Sequence, residues 1–232
     1  MITLRQFSSI LSLIAIPFLS FSQSYWEAGL GLGTTNYLGD MVEPVFTFSG
    51  THFAAQANMT RFFDAKHAIG FNVLYGKLSG DDNQYESLLG RGASFQTTLV
   101  EVSFKGILDL RGQKRFNKKG EFNKTFSPYI FVGLAAAFAK PEVVYQVPNN
   151  EDASIDYSGI HVAAPIGGGV KYDLNETIFV GLEVGTRFTA SDYIDGVQAS
   201  GNAYKNDVYF FGGLTAGYRL VKKKEEVKVE NM

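Results

Sequence analysis

From Ala68 to Gly76 the chain reads Ala-Ile-Gly-Phe-Asn-Val-Leu-Tyr-Gly, and its two faces differ at every step. Ile69, Phe71, Val73 and Tyr75 fall on one side, with Gly70, Asn72, Leu74 and Gly76 on the other. The stretch Ile178 to Phe188 repeats the pattern: Ile178, Val180, Leu182 and Val184 oppose Gly181, Glu183, Gly185 and Arg187. A period of two is the signature of a β-strand. Followed along the chain, it predicts strands near 25–35, 52–62, 67–78, 95–109, 128–140, 159–172, 177–189 and 207–220. Strands of soluble sheets usually run about five or six residues, and these are longer. Membrane strands need roughly 9–11 residues at a 45° tilt. The expected fold is all-β: an eight-stranded antiparallel transmembrane β-barrel that protrudes from the bilayer.

The second face carries, beside small residues, Glu27, Gln56, Asn58, Glu101, Ser103, Lys105, His161, Lys171, Glu183, Arg187 and Arg219. In a membrane barrel the apolar face meets lipid and the polar face meets the lumen. Eight strands leave an interior just wide enough for side chains. The acids Glu27, Glu101 and Glu183 then meet the bases Lys105, Lys171, Arg187 and Arg219 in a lumen too narrow for bulk water. The expectation is a paired, filled interior rather than a pore. Gly29, Gly31, Gly33, Gly167, Gly169, Gly213 and Gly217 would give those long side chains room. At Gly167-Gly168-Gly169 a bulge is the alternative.

Composition agrees and excludes other classes. With 232 residues, 21 Lys+Arg against 23 Asp+Glu, the chain has no polycationic field for nucleic acid. No cysteine means no disulfide framework, thiolate metal site, cysteine nucleophile or lipoprotein anchor. Glycine, 25 residues, exceeds its average share of about 7 %. At the N-terminus, one basic residue precedes Ile10 to Leu19, a run of ten that is apolar except for Ser12, and Ser20-Phe21-Ser22 follows. These are the parts of a secretory signal, and ten residues fall short of the about 20 that span a membrane as a helix. Residues 1–22 are expected to be removed, 23–221 to form the barrel, and 222–232 to be a charged periplasmic tail.

The connections alternate in length. Phe62 to Lys66 and Asp173 to Glu176 read as tight turns, whereas 36–51, 79–94, 141–158 and 190–206 are longer and rich in Gly, Asp, Asn and Ser. In such barrels short turns face the periplasm and long loops face outward, which places both termini in the periplasm. Trp26, Phe104, Tyr172 and Tyr218 fall near one rim and Tyr75, Phe138 and Phe188 near the other, as two interfacial girdles would. Arg111 to Lys124 breaks the rule. It should be a short turn, yet it has 14 residues with six bases (Arg111, Lys114, Arg115, Lys118, Lys119 and Lys124) and one acid, Glu121. It is either a solvated hairpin extension or a basic contact for a periplasmic partner or anionic headgroups.

Several segments together resemble the PorG-like outer-membrane barrels of the type IX secretion system. They are Asn36-Tyr-Leu-Gly-Asp40, Tyr75-Gly-Lys-Leu-Ser-Gly-Asp-Asp82, Ser127-Pro-Tyr-Ile-Phe-Val-Gly133, Pro165-Ile-Gly-Gly-Gly-Val-Lys-Tyr172, and Gly181-Leu-Glu-Val-Gly-Thr-Arg187 leading to Ser191-Asp-Tyr-Ile-Asp-Gly196. The resemblance implies a small barrel of the OmpA/OmpX type in the outer membrane. It also implies a component of protein export that docks to periplasmic secretion-ring lipoproteins rather than forming the conduit.

Little in the sequence points to catalysis. Three histidines are present, His52, His67 and His161. His52 is expected at the outer start of a strand and His67 at a periplasmic turn, a membrane apart. His161 is the sole candidate base, with Ser158 close in sequence but in no nucleophile motif. Asp81-Asp82 and Asp192/Asp195 could supply oxygen ligands for calcium but lack an EF-hand spacing, so solvated acidic loops are the expected reading. No cofactor, metal or catalytic residue is assigned. The expected function is that of a non-enzymatic secretion component contacting outer-membrane lipid and ring lipoproteins. A porin-like or adhesive barrel binding ligands through its outer loops is the alternative, and a lipid-modifying enzyme the third reading.

Overall fold

The computed structural model describes residues 24–39, 50–84, 92–112, 114–117, 119, 121–146, 155–197 and 206–220. Eight strands follow in order: β1 (Tyr25–Leu38), β2 (His52–Phe62), β3 (His67–Asp81), β4 (Ala93–Asp109), β5 (Phe126–Tyr145), β6 (Gly159–Asp173), β7 (Ile178–Thr189) and β8 (Val208–Leu220). Each pairs antiparallel with the next, and β8 returns to β1 to close the sheet. The closing seam runs from Trp26↔Leu220 to Leu38↔Val208. Closure pairs the backbone polar groups of both outer strands, which hydrocarbon could not satisfy. The expected signal segment and charged tail lie outside the described residues.

All eight expected strands form, and the differences gather at one end. Three short or hairpin connections, β2–β3, β4–β5 and β6–β7, share with the start of β1 and the end of β8 what we call the turn end; the long loops share the loop end. At the loop end β1, β3 and β5 run further than the sequence pattern suggested, β5 as far as Tyr145. Pro141 reads as a stop, yet it keeps register with Thr97. Beyond Ala139, β5 no longer pairs with β6. One side of β5 is therefore an edge there, the setting in which a strand tolerates proline. The glycine run stays in register without a bulge: Gly167, Gly168 and Gly169 oppose Gly185, Val184 and Glu183.

Polarity is inverted relative to a soluble sheet. Leu30, Leu134 and Leu214 point outward and are 68 %, 70 % and 69 % exposed, whereas Glu27, Glu101, Arg187 and Arg219 point inward with no exposed surface. A soluble protein does not present such a belt to water, so the medium outside these strands is hydrocarbon. Trp26, Phe104, Tyr172 and Tyr218 are exposed toward the turn end, Tyr75, Phe138 and Phe188 toward the loop end, as girdles at two interfaces require. No helix among the described residues is long and apolar enough to cross a membrane.

The tight turns are held by side chains that stand in for backbone acceptors. Asp64 Oδ1 accepts from the amides of Lys66 and His67 at 2.7 and 2.8 Å. Partial burial opposes its charge, but these bonds and the His67 ring hold the Asp64 carboxyl below its ordinary range. Asn175 Oδ1 does the same for the amides of Thr177 and Ile178 between β6 and β7. Replacing an outward leucine tests which medium surrounds the belt. Leu134→Arg should lower folding stability in lipid by roughly 2–4 kcal/mol if it lies near the midplane, measured by urea unfolding in liposomes, while Lys140→Gln beyond the belt should be neutral.

Candidate functional site

The inward positions of β1, β4, β6, β7 and β8 bring acids and bases of opposite sign together in two tiers. In the tier at the turn end, Glu27 accepts from Lys171 Nζ at 2.7 Å and from Arg219 at 2.9 Å. Arg219 also reaches Asp173 Oδ1 at 2.7 Å. In the upper tier, Lys105 Nζ donates to Glu183 Oε1 at 2.9 Å, and Arg187 Nε donates to Glu101 Oε2 at 3.0 Å. Two phenols complete these contacts: Tyr129 donates to Glu183 and Tyr209 to Glu101, each at 2.9 Å. All seven residues expected in a lumen charge network are therefore inside and paired. The structure adds Asp173 and Arg115, which the sequence reading left in turns, and Asp109, which it placed at the end of a strand.

Glycine provides the room. A Cβ on Gly169 would stand 2.7 Å from the Tyr129 hydroxyl, which holds Glu183. On Gly31 it would stand 2.8 Å from Gln56 Cγ. Both are closer than real side-chain carbons approach, so larger residues there would push the lumen side chains aside. The cations also lie over rings: Lys171 Nζ is 5.0 Å from the centre of Phe179 and Lys105 Nζ is 4.4 Å from that of Phe131, contacts that favour a desolvated cation.

The long connection between β4 and β5 is a structured hairpin. Phe116 and Phe122 bridge with rings 5.6 Å apart. Asn117 N–H donates to the Glu121 carbonyl, and Asn123 N–H to that of Arg115. Gly112, at φ +57°, turns the chain out of β4 in a conformation that favours glycine, and Asp109 Oδ1 accepts from its amide at 2.9 Å. The hairpin is anchored by Arg115, and this corrects one expectation. Arg115 does not face a partner. It is 2 % exposed and enters the mouth of the barrel, where Nε meets Asp173 at 3.1 Å, Nη1 meets the Tyr25 hydroxyl at 2.9 Å and Nη2 meets Ser127 at 2.7 Å. The reason is electrostatic: Asp109 and Asp173 reach this mouth with one arginine, Arg219, against them, and Arg115 supplies the second. Burial works against its charge, yet Tyr25, Glu27, Asp173 and Asp109 together hold its pKa above the usual arginine value.

Arg111, Lys114, Lys119 and Lys124 remain exposed on the hairpin, and Lys118 lies outside the described residues. Lys66, from the β2–β3 turn, packs its stem against Gly112 and adds a base that the sequence reading did not include. The histidines are held apart. His67 pairs with Asp64 at the turn end, and His52 Nε2 lies 2.7 Å from Ser79 Oγ at the loop end. His161 Nδ1 lies 2.8 Å from Ser191 Oγ, and the Ser158 amide donates to Asp156. Among the described residues no group of His, Asp or Glu has metal-ligating geometry. Asp82 instead accepts from the Ala93 amide.

The lumen pairs differ in what their loss should cost. Glu27→Gln leaves Lys171 and Arg219 facing one another and should destabilise the barrel by about 3–5 kcal/mol. Replacing Lys105 and Glu183 together by Met and Leu should cost far less than either change alone, a coupling that a double-mutant cycle of urea midpoints reads directly.

No curated protein matches the chain in sequence. Among solved structures, it is similar to Ail, the attachment invasion locus protein of Yersinia pestis, at 10 % identity and a TM-score of 0.47, covering 85 % of this chain and 99 % of that one. It is similar to the N-terminal β-barrel domain of Pseudomonas aeruginosa OprF at 12 % identity and 0.47, covering 85 % and 100 %. Neisserial surface protein A follows at 11 % and 0.46, covering 85 % and 96 %. In sequence, residues 4–224 match a family described as a domain of unknown function, DUF6089. With nearly its whole length matched, and a closed barrel filled by paired charges, the chain belongs to the DUF6089 family.

Proposed function

We propose that this protein is a non-enzymatic resident of the bacterial outer membrane, exported through its N-terminal signal. It anchors a periplasmic assembly to the bilayer, and its turn end, with both termini, faces the periplasm. The observation that carries this reading is the β4–β5 hairpin. A connection that membrane barrels keep short is here long, folded and pinned into the barrel by a buried arginine. Pinning removes the entropy that a loose loop would lose on binding. Arg111, Lys114, Lys119 and Lys124 are thereby presented as a fixed basic surface, suited to an acidic protein face. The resemblance to PorG-like barrels supports secretion-ring lipoproteins of a type IX-like machinery as the partner.

A filled lumen supports an anchor over a conduit, because two tiers of ion pairs and their rings occupy the interior. The purified barrel should carry no steady current in planar bilayers. Changing Arg111, Lys114, Lys119 and Lys124 together to Gln, with Arg115 kept, should leave the barrel folded and reduce recovery of ring lipoproteins after crosslinking in intact cells. Undiminished recovery would remove the hairpin from the docking surface.

A further inference from the structure

Between β7 and β8 the chain turns back into the barrel at the loop end. Ile194 and Val197 are fully buried against Tyr37, Leu78, Phe95, Leu99 and Tyr209, so this segment stoppers the mouth. Thr97 Oγ1 donates to the Ile194 carbonyl at 2.5 Å, and the Tyr145 hydroxyl donates to that of Gly196 at 3.2 Å. The stopper also carries a carboxyl group, Asp195, into this apolar setting. There it meets Asp207, which precedes β8, across one phenol. The Tyr37 hydroxyl lies 2.6 Å from Asp195 Oδ2 and 2.6 Å from Asp207 Oδ1.

A phenol has one hydrogen. Two carboxyl oxygens at hydrogen-bond distance from the same phenol oxygen therefore need a second proton, held on one carboxyl and donated back to the phenol. The other two oxygens are engaged elsewhere: Asp195 Oδ1 accepts from the Val197 amide at 2.9 Å, and Asp207 Oδ2 accepts from the Ile194 amide at 2.8 Å. Each of these bonds ties a carboxyl to the backbone of the stopper itself.

We propose that the seated stopper holds one extra proton, shared by Asp195 and Asp207 through Tyr37, and that the loop-end mouth is a proton-sensitive gate which loosens as that proton leaves. Burial first, and then the charge of Asp207, push the Asp195 carboxyl well above its ordinary range. The groups facing the pair reinforce this. Asp192, on the same segment, adds negative charge. Tyr209 from β8 gives its hydroxyl to Glu101, and Tyr145 from β5 gives its own to Gly196. From β6, His161 meets the segment at Ser191 and Tyr193. Asp82, after β3, is buried and accepts from the Ala93 amide beside it, whereas Leu78, Phe95, Thr97 and Leu99 of β3 and β4 are uncharged.

The sign follows from linkage. The seated form binds the proton more tightly than a released, solvated aspartate. Seating is therefore fully favoured below the ordinary aspartate pKa and weakens as pH rises from there toward the raised value of the seated form. One proton makes the seating constant fall about tenfold per pH unit within that window.

Amide hydrogen exchange on the intact barrel in detergent micelles, corrected for the intrinsic chemical rate, tests this. The Ile194 and Val197 amides should lose protection about tenfold per pH unit above the ordinary aspartate range. The Leu174 amide, bonded to Ile178 at the turn end, should stay flat. In Asp195→Asn the carboxamide donates to Tyr37 at every pH, so the Ile194 and Val197 profiles should also become flat. If that variant does not reach the folded barrel, Asp207→Asn makes the same substitution from the other side. Protection independent of pH in the wild type, or an unchanged slope in the asparagine variant, would overturn the proposal.

Discussion

A charged group withdrawn from water must find its opposite, and the rest of this molecule is arranged around that demand. Within the apolar belt, hydrocarbon on the outside keeps the ionic side chains of the strands on the inner face. The interior of an eight-stranded barrel holds side chains and little else. Charges that enter such a space are neutralised pair by pair or they prevent closure. Here Glu27 serves two cations, Arg219 serves two acids, and Arg115 is drawn in from a connecting segment to complete the balance at the mouth. Glycines on facing strands and rings beneath the ammonium groups follow from the same demand, since long ionic side chains need space and a tolerant surface.

The two ends of the barrel meet this demand differently. At the turn end an arginine from a hairpin neutralises buried acids, which fixes the hairpin in place and leaves its remaining bases on display. At the loop end, acids gather on and beside the returning segment, and a tyrosine hydroxyl mediates between two of them. One end is secured by opposite charge and the other by hydrogen bonding.

Most of the frame was legible in the sequence because the strand rule is local. Once Ile69 is outside, Gly70 and Asn72 are inside, and the same parity places Glu183 with Arg187 and Lys171 without any knowledge of neighbours. Parity also reaches Asp173, two residues after Lys171, but that residue reads as part of a turn because strand ends fray into turn-like composition. Arg115 was beyond reach: no periodicity carries across a hairpin, and its burial follows from acids on other strands. The parts played by Tyr129 and Tyr209 were also beyond reach, since a sequence shows the ring and not what the hydroxyl meets. Asp195 looked like an ordinary solvated loop acid for the same reason, because only the folded chain shows that the segment turns inward.

The link between Glu27 and Arg219 joins the first strand to the last, 192 positions apart along the chain. A polypeptide that stops before β8 thus carries an acid with half of its neutralising company missing, in a sheet whose two borders stay open. The assembling cylinder cannot become comfortable in fat until its final stave arrives. Completeness of synthesis is in this way checked by electrostatics, at the same contact that seals the wall.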